Sequence, residues 1–252
     1  MRMEISNAVE PRTCAKHGLY EAKVIDILGR KIASSCRQCS ADEEARNIDL
    51  SNRTQADSLR RRIEGLLQRS GIPLRFQTRT IDNFEATTEG QQKALRTARA
   101  YVEGWQQMSD RGTCLIFSGS PGTGKTHLAS AIANAVIAKG HSALFTTVGD
   151  AIRSIKRAYD KTSDTSEGDA INLLVAPRLL VLDEVGGDYG TDHSKTLLFD
   201  MMNKRYENMK PTIILTNLDA VALRDYFGDR ITDRLREGGG KLVSFAWASH
   251  RA

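Results

Sequence analysis

The chain has 252 residues, 40% of them hydrophobic, enough apolar material for one α/β domain of ordinary size and a small additional module. It contains no run of about 18 or more apolar residues, and its opening "MRMEISNAVEPRTC" lacks the apolar core of a signal peptide; both features argue against membrane insertion or export and for the cytoplasm. A net charge of +5 suits contact with polyanions without requiring it, and four cysteines in a reducing compartment point to metal ligation rather than disulfides.

In chain order, residues 1–40 form a Cys/His module, 41–80 a basic helical linker suited to docking a partner, and 81–252 an α/β domain. Within the module, Cys14-x-x-His17 and Cys36-x-x-Cys39 are two ligand pairs flanking "GLYEAKVIDILGRKIAS", which reads as a β-hairpin turned at Leu28-Gly29-Arg30. A two-residue spacer sets both ligands of a pair on one turn, and two pairs close a tetrahedral, structural Zn²⁺ site. The bland alternative is free thiols beside a chance histidine.

A helical stretch begins at Ser40, where Ser40 and Glu43 have capping-box spacing and Asp42, Glu43 and Glu44 suit the positive end of a helix dipole. It continues, with or without a break, through Leu59, Ile63, Leu66 and Leu67, and stops near Gly71 and Pro73. Arg53, Arg60, Arg61, Arg62, Arg69, Arg75 and Arg79 make its other face cationic, either as a solvated surface or as a surface for nucleic acid or a partner.

Ala94, Ala98, Tyr101, Trp105 and Met108 recur at steps of four and three and predict one amphipathic helix whose apolar side is core. Then strands and helices alternate: "CLIFSG" as strand, "KTHLASAIANAVIAKG" as a helix ending at Gly140, "SALFTTV" as strand, "DAIRSIKRAY" as helix and "DKTSDTSEGD" as a polar loop. The strand "RLLVLDE", a helix near "HSKTLLFDMMNKRYEN" and the strand "TIILTN" follow. Such alternation predicts right-handed crossovers and a mostly parallel sheet covered on both faces.

"GSPGTGKT" matches G-x-x-x-x-G-K-[ST] between a strand and a helix. Gly119, Ser120, Pro121, Gly122, Thr123 and Gly124 can curl so that backbone N–H groups and the helix N-terminus face phosphates. Lys125 reaches the β- and γ-phosphates, and Thr126 can ligate Mg²⁺. His127 borders this ATP-binding loop and reads as packing or surface rather than as a catalyst.

Asp183 closes the apolar strand "LLVLDE", where a carboxylate can hold the metal through water, and Glu184 can polarise a water for attack on the γ-phosphate. Thr216 and Asn217 end "TIILTN", where a polar group senses the γ-phosphate or simply starts a turn. In "GDRITDRLRE", Arg230, Arg234 and Arg236 are either surface charges or an arginine finger aimed at a neighbour's nucleotide. Cys114 reads as a buried apolar-like residue.

With these residues in place, the chain from about residue 70 to 252 resembles the DnaC-type branch of the AAA+ ATPases, which holds replicative helicase loaders and IstB-type transposition ATPases. The likeness rests on "SGIPLRF", "NFEATTEGQQKAL", "FSGSPGTGKTHLA", "LLVLDEVG", "IILTN" and "GDRITDRL" in order. It implies Walker A roles for Gly119 through Thr126, Walker B roles for Asp183 and Glu184, sensor 1 at Asn217 and a trans-acting finger at Arg234, with Arg230 as second choice. It therefore implies ATP-dependent self-association.

About 18 residues follow Arg234, too few for a helical lid domain, which leaves Arg251 as a weak candidate for sensor 2. The function expected from the resemblance is ATP-driven loading of a hexameric replicative helicase onto single-stranded DNA; the alternatives are a transposition helper and a passive zinc-dependent adaptor. The Cys/His module lies outside the family pattern.

Overall fold

In the computed structural model, which describes residues 7–27, 30–159, 166–187 and 192–250, the chain divides into two units, Met1–Arg61 and Arg62–Ala252. The first carries β1 (Asn7–Cys14), β2 (Gly18–Ile27) and β3 (Arg30–Ala33) as an antiparallel sheet in the order β1-β2-β3. Cys14 pairs with Gly18 across a tight turn, and Ile25 pairs with Ile32. The strand alternation of β2 buries Ala22 and Val24 and leaves Leu19, Ile25 and Ile27 on the opposite, exposed face. The expected hairpin is present as β2 and β3, while Leu28 and Gly29 of its turn lie outside the described residues. β1 carries no forecast from the sequence.

α1 (Arg37–Gln68) is one unbroken helix and starts earlier than the capping pattern predicts. Ser40 is inside its first turn, donating its backbone N–H to the Cys36 carbonyl at 3.0 Å, and its hydroxyl pairs with Ser35 at 2.8 Å. Local cap chemistry lost to the geometry of the Cys36–Cys39 turn. Ile63, Leu66 and Leu67 pack against the core of the second unit, as their shared helix face requires.

The second unit is a five-stranded parallel sheet, ordered β5-β6-β7-β4-β8. Its strands are β4 (Leu115–Gly119), β5 (Ala143–Thr147), β6 (Leu179–Val185), β7 (Thr212–Thr216) and β8 (Lys241–Phe245). Leu115, Phe117, Leu179, Val181, Ile213 and Leu215 face one core, with α2 (Glu89–Glu103) and α4 (Lys125–Ala138). Ile116, Leu180, Leu182 and Ile214 face the other, beneath α5 (Val148–Lys156), α6 (Glu167–Val175), α7 (Asp192–Glu207) and α8 (Ala220–Arg236). Because both faces are covered, the central strands read as continuous apolar runs.

The predicted single helix over Ala94–Met108 is two, α2 and α3 (Trp105–Asp110), divided at Gly104, although its apolar positions are core as expected. Three further elements, α6, β8 and α8, carry no forecast. α6 is capped by a reciprocal pair, the Ser166 hydroxyl accepting from Asp169 N and the Asp169 carboxylate accepting from Ser166 N, and it occupies the end of the predicted polar loop; residues 160–165 of that loop lie outside the described residues. β8 joins the edge of the sheet beside β4, Gly119 pairing with Phe245. α8 bends at Gly228, whose φ of 74° is not helical.

Candidate functional site

β4 delivers the chain to Gly119 at the C-terminal edge of the sheet, where ligands of parallel α/β sheets bind. Gly119 (φ 148°) and Gly124 (φ 93°) take left-handed backbone that only glycine adopts without strain. A Cβ at Gly119 would meet the Phe245 carbonyl oxygen at 2.3 Å, and one at Gly124 the Phe84 ring at 2.9 Å. α4 begins at once with Lys125, so its free N–H groups open into the loop.

Lys125 Nζ donates to the carbonyls of Gly119 (2.5 Å) and Ser120 (2.8 Å) and to Asn217 Oδ1 (2.9 Å). These three oxygens hold the ammonium at the mouth of the loop. Burial pushes its pKa down, and the neighbouring Asp183 charge opposes that. Beside it, Thr126 Oγ1 donates to Asp183 Oδ2 at 3.2 Å, so two hard oxygen donors stand together as a Mg²⁺ site requires. Burial raises the Asp183 carboxyl, while the Glu184 N–H (2.7 Å to Oδ1) and Thr126 pull it back.

Glu184 is exposed and has a φ of 61°, unusual for a residue with a Cβ. The β6–β7 register breaks there: Leu182 pairs with Ile214 and Val185 with Thr216. This bulge turns Glu184 away from the alternation of the strand, so two consecutive acids serve different positions. Thr216 Oγ1 spends its proton on the Val185 carbonyl at 2.6 Å and accepts from Leu218 N, which makes it a buried brace; Asn217 is the residue that meets Lys125.

His127 faces away from this cluster. Its Nε2 pairs with Asn83 Oδ1 at 2.9 Å, and its ring stands edge-on to Phe84 at 5.3 Å. Burial first, then the Arg79 charge, lowers its pKa. These residues, with Gly122, Gly124, Glu85 and His250, line a cavity of about 280 Å³ on the flank of the loop. Sequence reasoning gave no site role to Asn83, Phe84 or His250 and read Arg79 only as part of a cationic face; the stretch "NFEATTEG", which opens with Asn83 and Phe84, marked the region through the family resemblance alone.

Arg234 is half-buried: one guanidinium nitrogen donates to Asn203 Oδ1, and the group lies 4.7 Å from the Tyr206 ring centroid. Arg230 and Arg236 are exposed on the same helix. Arg251 lies outside the described residues. Sequence reading also missed Arg205, which is fully buried and donates to Thr212 Oγ1 and to the carbonyls of Leu174, Val175, Pro177 and Pro211. Burial lowers its pKa to about 10, opposed by the nearby Cys114 and Tyr101.

In the first unit, the β1–β2 turn presents Cys14 and His17, and the start of α1 presents Cys36 and Cys39. His17 Nδ1 lies 3.8, 3.7 and 3.3 Å from the sulfurs of Cys14, Cys36 and Cys39, and the Cys14 and Cys39 sulfurs are 3.3 Å apart. A tetrahedral ion with metal–sulfur and metal–nitrogen bonds of ~2.3 and ~2.0 Å has ligand–ligand edges of ~3.5–3.8 Å, so the donors fit one metal. His17 Nε2 faces Asp42 at 3.3 Å, the carboxylate partner that fixes a ligating imidazole. The Lys16 backbone and the Cys39 thiol pull Cys14 down to about 6, and Cys39 is pushed up to about 11 by the same pairing.

Among the described residues no helix is long and apolar enough to cross a membrane. A profile of the IstB-like ATP-binding proteins matches residues 35–236. The replicative helicase loader DnaC of Escherichia coli (strain K12) is 36% identical over 191 residues, 76% of this chain and 76% of that protein. The DnaC loader of Buchnera aphidicola subsp. Acyrthosiphon pisum is 33% identical over 190 residues, covering 75% and 76%. A crystal structure of the DnaC helicase loader superposes with a TM-score of 0.61 at 28% identity, covering 68% of this chain and 99% of that one.

Proposed function

Since this chain belongs to the IstB-like ATP-binding family, on its DnaC-type AAA+ branch, we propose that it is an ATPase that loads a hexameric replicative helicase onto single-stranded DNA when replication starts. The observation that carries this reading is that Lys125, Thr126, Asp183 and Asn217 meet at the phosphate loop, with Glu184 next to Asp183, inside the span 35–236 that the family profile matches. Bound ATP supplies the hydrolysable β–γ anhydride, and Mg²⁺ neutralises its charge.

The residues of the chain do the rest. Lys125 exchanges its three oxygen partners for phosphate oxygens. Thr126 and Asp183 hold the metal. Glu184, turned out of the strand by the bulge, takes the proton of the attacking water, and Asn217 orients that water from the next strand. The cavity walled by Phe84 and His127 receives the base. Arg234, with Arg230 as second choice, completes a neighbouring protomer's site, so nucleotide binding drives self-association.

Cys14, His17, Cys36 and Cys39 hold a structural Zn²⁺. That module and the arginine-rich face of α1 grip the helicase, while basic side chains track the DNA phosphates. The working compartment is the cytoplasm. ATP thereby serves as a timing switch on a protein–DNA assembly.

Size-exclusion chromatography with light scattering tests this on the protein mixed with the replicative helicase of the same organism, with and without ATP. A stoichiometric complex is expected. The IstB-like profile favours one second reading, a helper of DNA transposition. Failure to bind the helicase in either condition, together with ATP-dependent assembly on duplex DNA, would replace the loader with that helper.

A further inference from the structure

After β8 the chain runs back along the phosphate loop, and the contacts it makes there are specific. Trp247 Nε1 donates to the Thr123 carbonyl at 3.0 Å, and the His250 backbone N–H donates to the Gly122 carbonyl at 3.0 Å. In a planar trans peptide the C=O of one residue points opposite to the N–H of the next. Gripping the carbonyls of Gly122 and Thr123 therefore fixes the directions of the Thr123 and Gly124 N–H groups, on the side away from the strap. The two glycines in this stretch give the loop little stiffness of its own.

The strap is itself anchored. The Trp247 ring packs on Phe245 at 4.7 Å, which packs on Phe117 of β4 at 5.0 Å. A Cβ at Gly90 in the first turn of α2 would lie 3.1 Å from the Trp247 ring, so the indole is seated against that turn. His250 Nε2 lies 3.0 Å from Gln91 Nε2. Gln91 Oε1 already accepts from Thr87 N, Thr88 N and the Thr87 hydroxyl, so the Gln91 amide must donate and His250 Nε2 must accept. One glutamine thus caps α2 and holds the strap.

We propose that the C-terminal strap, Trp247 through His250, is a positioning element of the nucleotide site: it sets the peptide orientations of the phosphate loop and, through them, nucleotide affinity. The inference rests on the reading of this loop as a nucleotide site and is independent of the helicase. Trp247 and His250 touch the loop and not the reacting phosphates, so their effect is on binding geometry.

The test uses the full chain and two variants. Trp247→Phe keeps the ring stack and removes the N–H donor. Titration with the fluorescent nucleotide mant-ADP and Mg²⁺ should show about 2- to 12-fold weaker binding, the range of one net hydrogen bond. In Trp105→Phe, Trp247 is the sole tryptophan of a chain that has two, and its emission should shift when unlabelled ADP and Mg²⁺ bind. A purely structural tryptophan would leave that spectrum unmoved.

Equal affinity in Trp247→Phe overturns the strap proposal whatever the emission does, and leaves the nucleotide site standing. Absence of mant-ADP binding by the unaltered chain overturns the nucleotide reading beneath it. Should Trp247→Phe melt early, the Trp105→Phe emission decides: a shift supports the strap, and a fixed spectrum ends it.

Discussion

On the proposal that Cys14, His17, Cys36 and Cys39 hold zinc, removal of that metal should unfold the three-stranded sheet and leave the second unit intact. Among the described residues, that sheet buries only Ala22 and Val24, with Cys36 beside them, while Val9, Leu19, Ile25, Ile27 and Ile32 are exposed. Burial of a valine contributes about 1.5–3 kcal/mol and an alanine methyl roughly 1 kcal/mol. A four-ligand structural zinc contributes an apparent ~10–16 kcal/mol at neutral pH, several times more than this apolar cluster. The second unit, by contrast, has two extensive cores.

Hydrogen exchange read by mass spectrometry, run alongside metal quantification during titration with a strong chelator, measures this directly. Amides of β2 paired with β1 and β3 should lose protection in step with the metal, while β4, β6 and β7 keep theirs. Cys39→Ser should give the same pattern without chelator. If the β2 amides stay protected after the metal content has fallen to zero, the zinc argument fails and the cluster is four side chains that happen to meet.

Glu184→Gln should lower ATP turnover by at least about 100-fold, the usual contribution of a general base, with mant-ATP affinity little changed; a smaller loss in a steady-state phosphate-release assay would remove Glu184 from the chemistry. Arg205→Met leaves five acceptors without a donor at the junction of α6, α7 and β7, and should destabilise the second unit by about 3–5 kcal/mol in urea unfolding. A loss below about 1 kcal/mol would mean that water or repacking satisfies those carbonyls.

What the sequence disclosed is what is contiguous. The phosphate loop, the Asp183-Glu184 pair and the two Cys/His pairs are each written within a few residues, and their chemistry follows from residue type and spacing. The parallel sheet was legible because its strands are short apolar runs between helices. What escaped depends on contacts between distant segments.

Arg205 looks like any charge on a helix until two distant segments, residues 174–177 and 211–212, are found wrapped around it. Trp247 and His250 meet the phosphate loop more than a hundred residues earlier in the chain. α6 was hidden by its polar cap, and β8 by its position as a short edge strand with a mixed pattern. The start of α1 was misplaced because Ser40 and Glu43 offered good cap chemistry one turn inside the true beginning, which the Cys36–Cys39 turn sets.

The positive φ of Glu184 also bears on how such a protein can be improved. A residue with a side chain held in left-handed backbone costs of order 1 kcal/mol or more, and glycine relieves that cost. With Glu184 as the base proposed above, a laboratory selection for heat resistance alone would favour glycine at 184 and recover a sturdier protein that binds nucleotide and no longer turns it over. On that proposal, screens on this scaffold have to score turnover with stability, because at this position the two would pull in opposite directions.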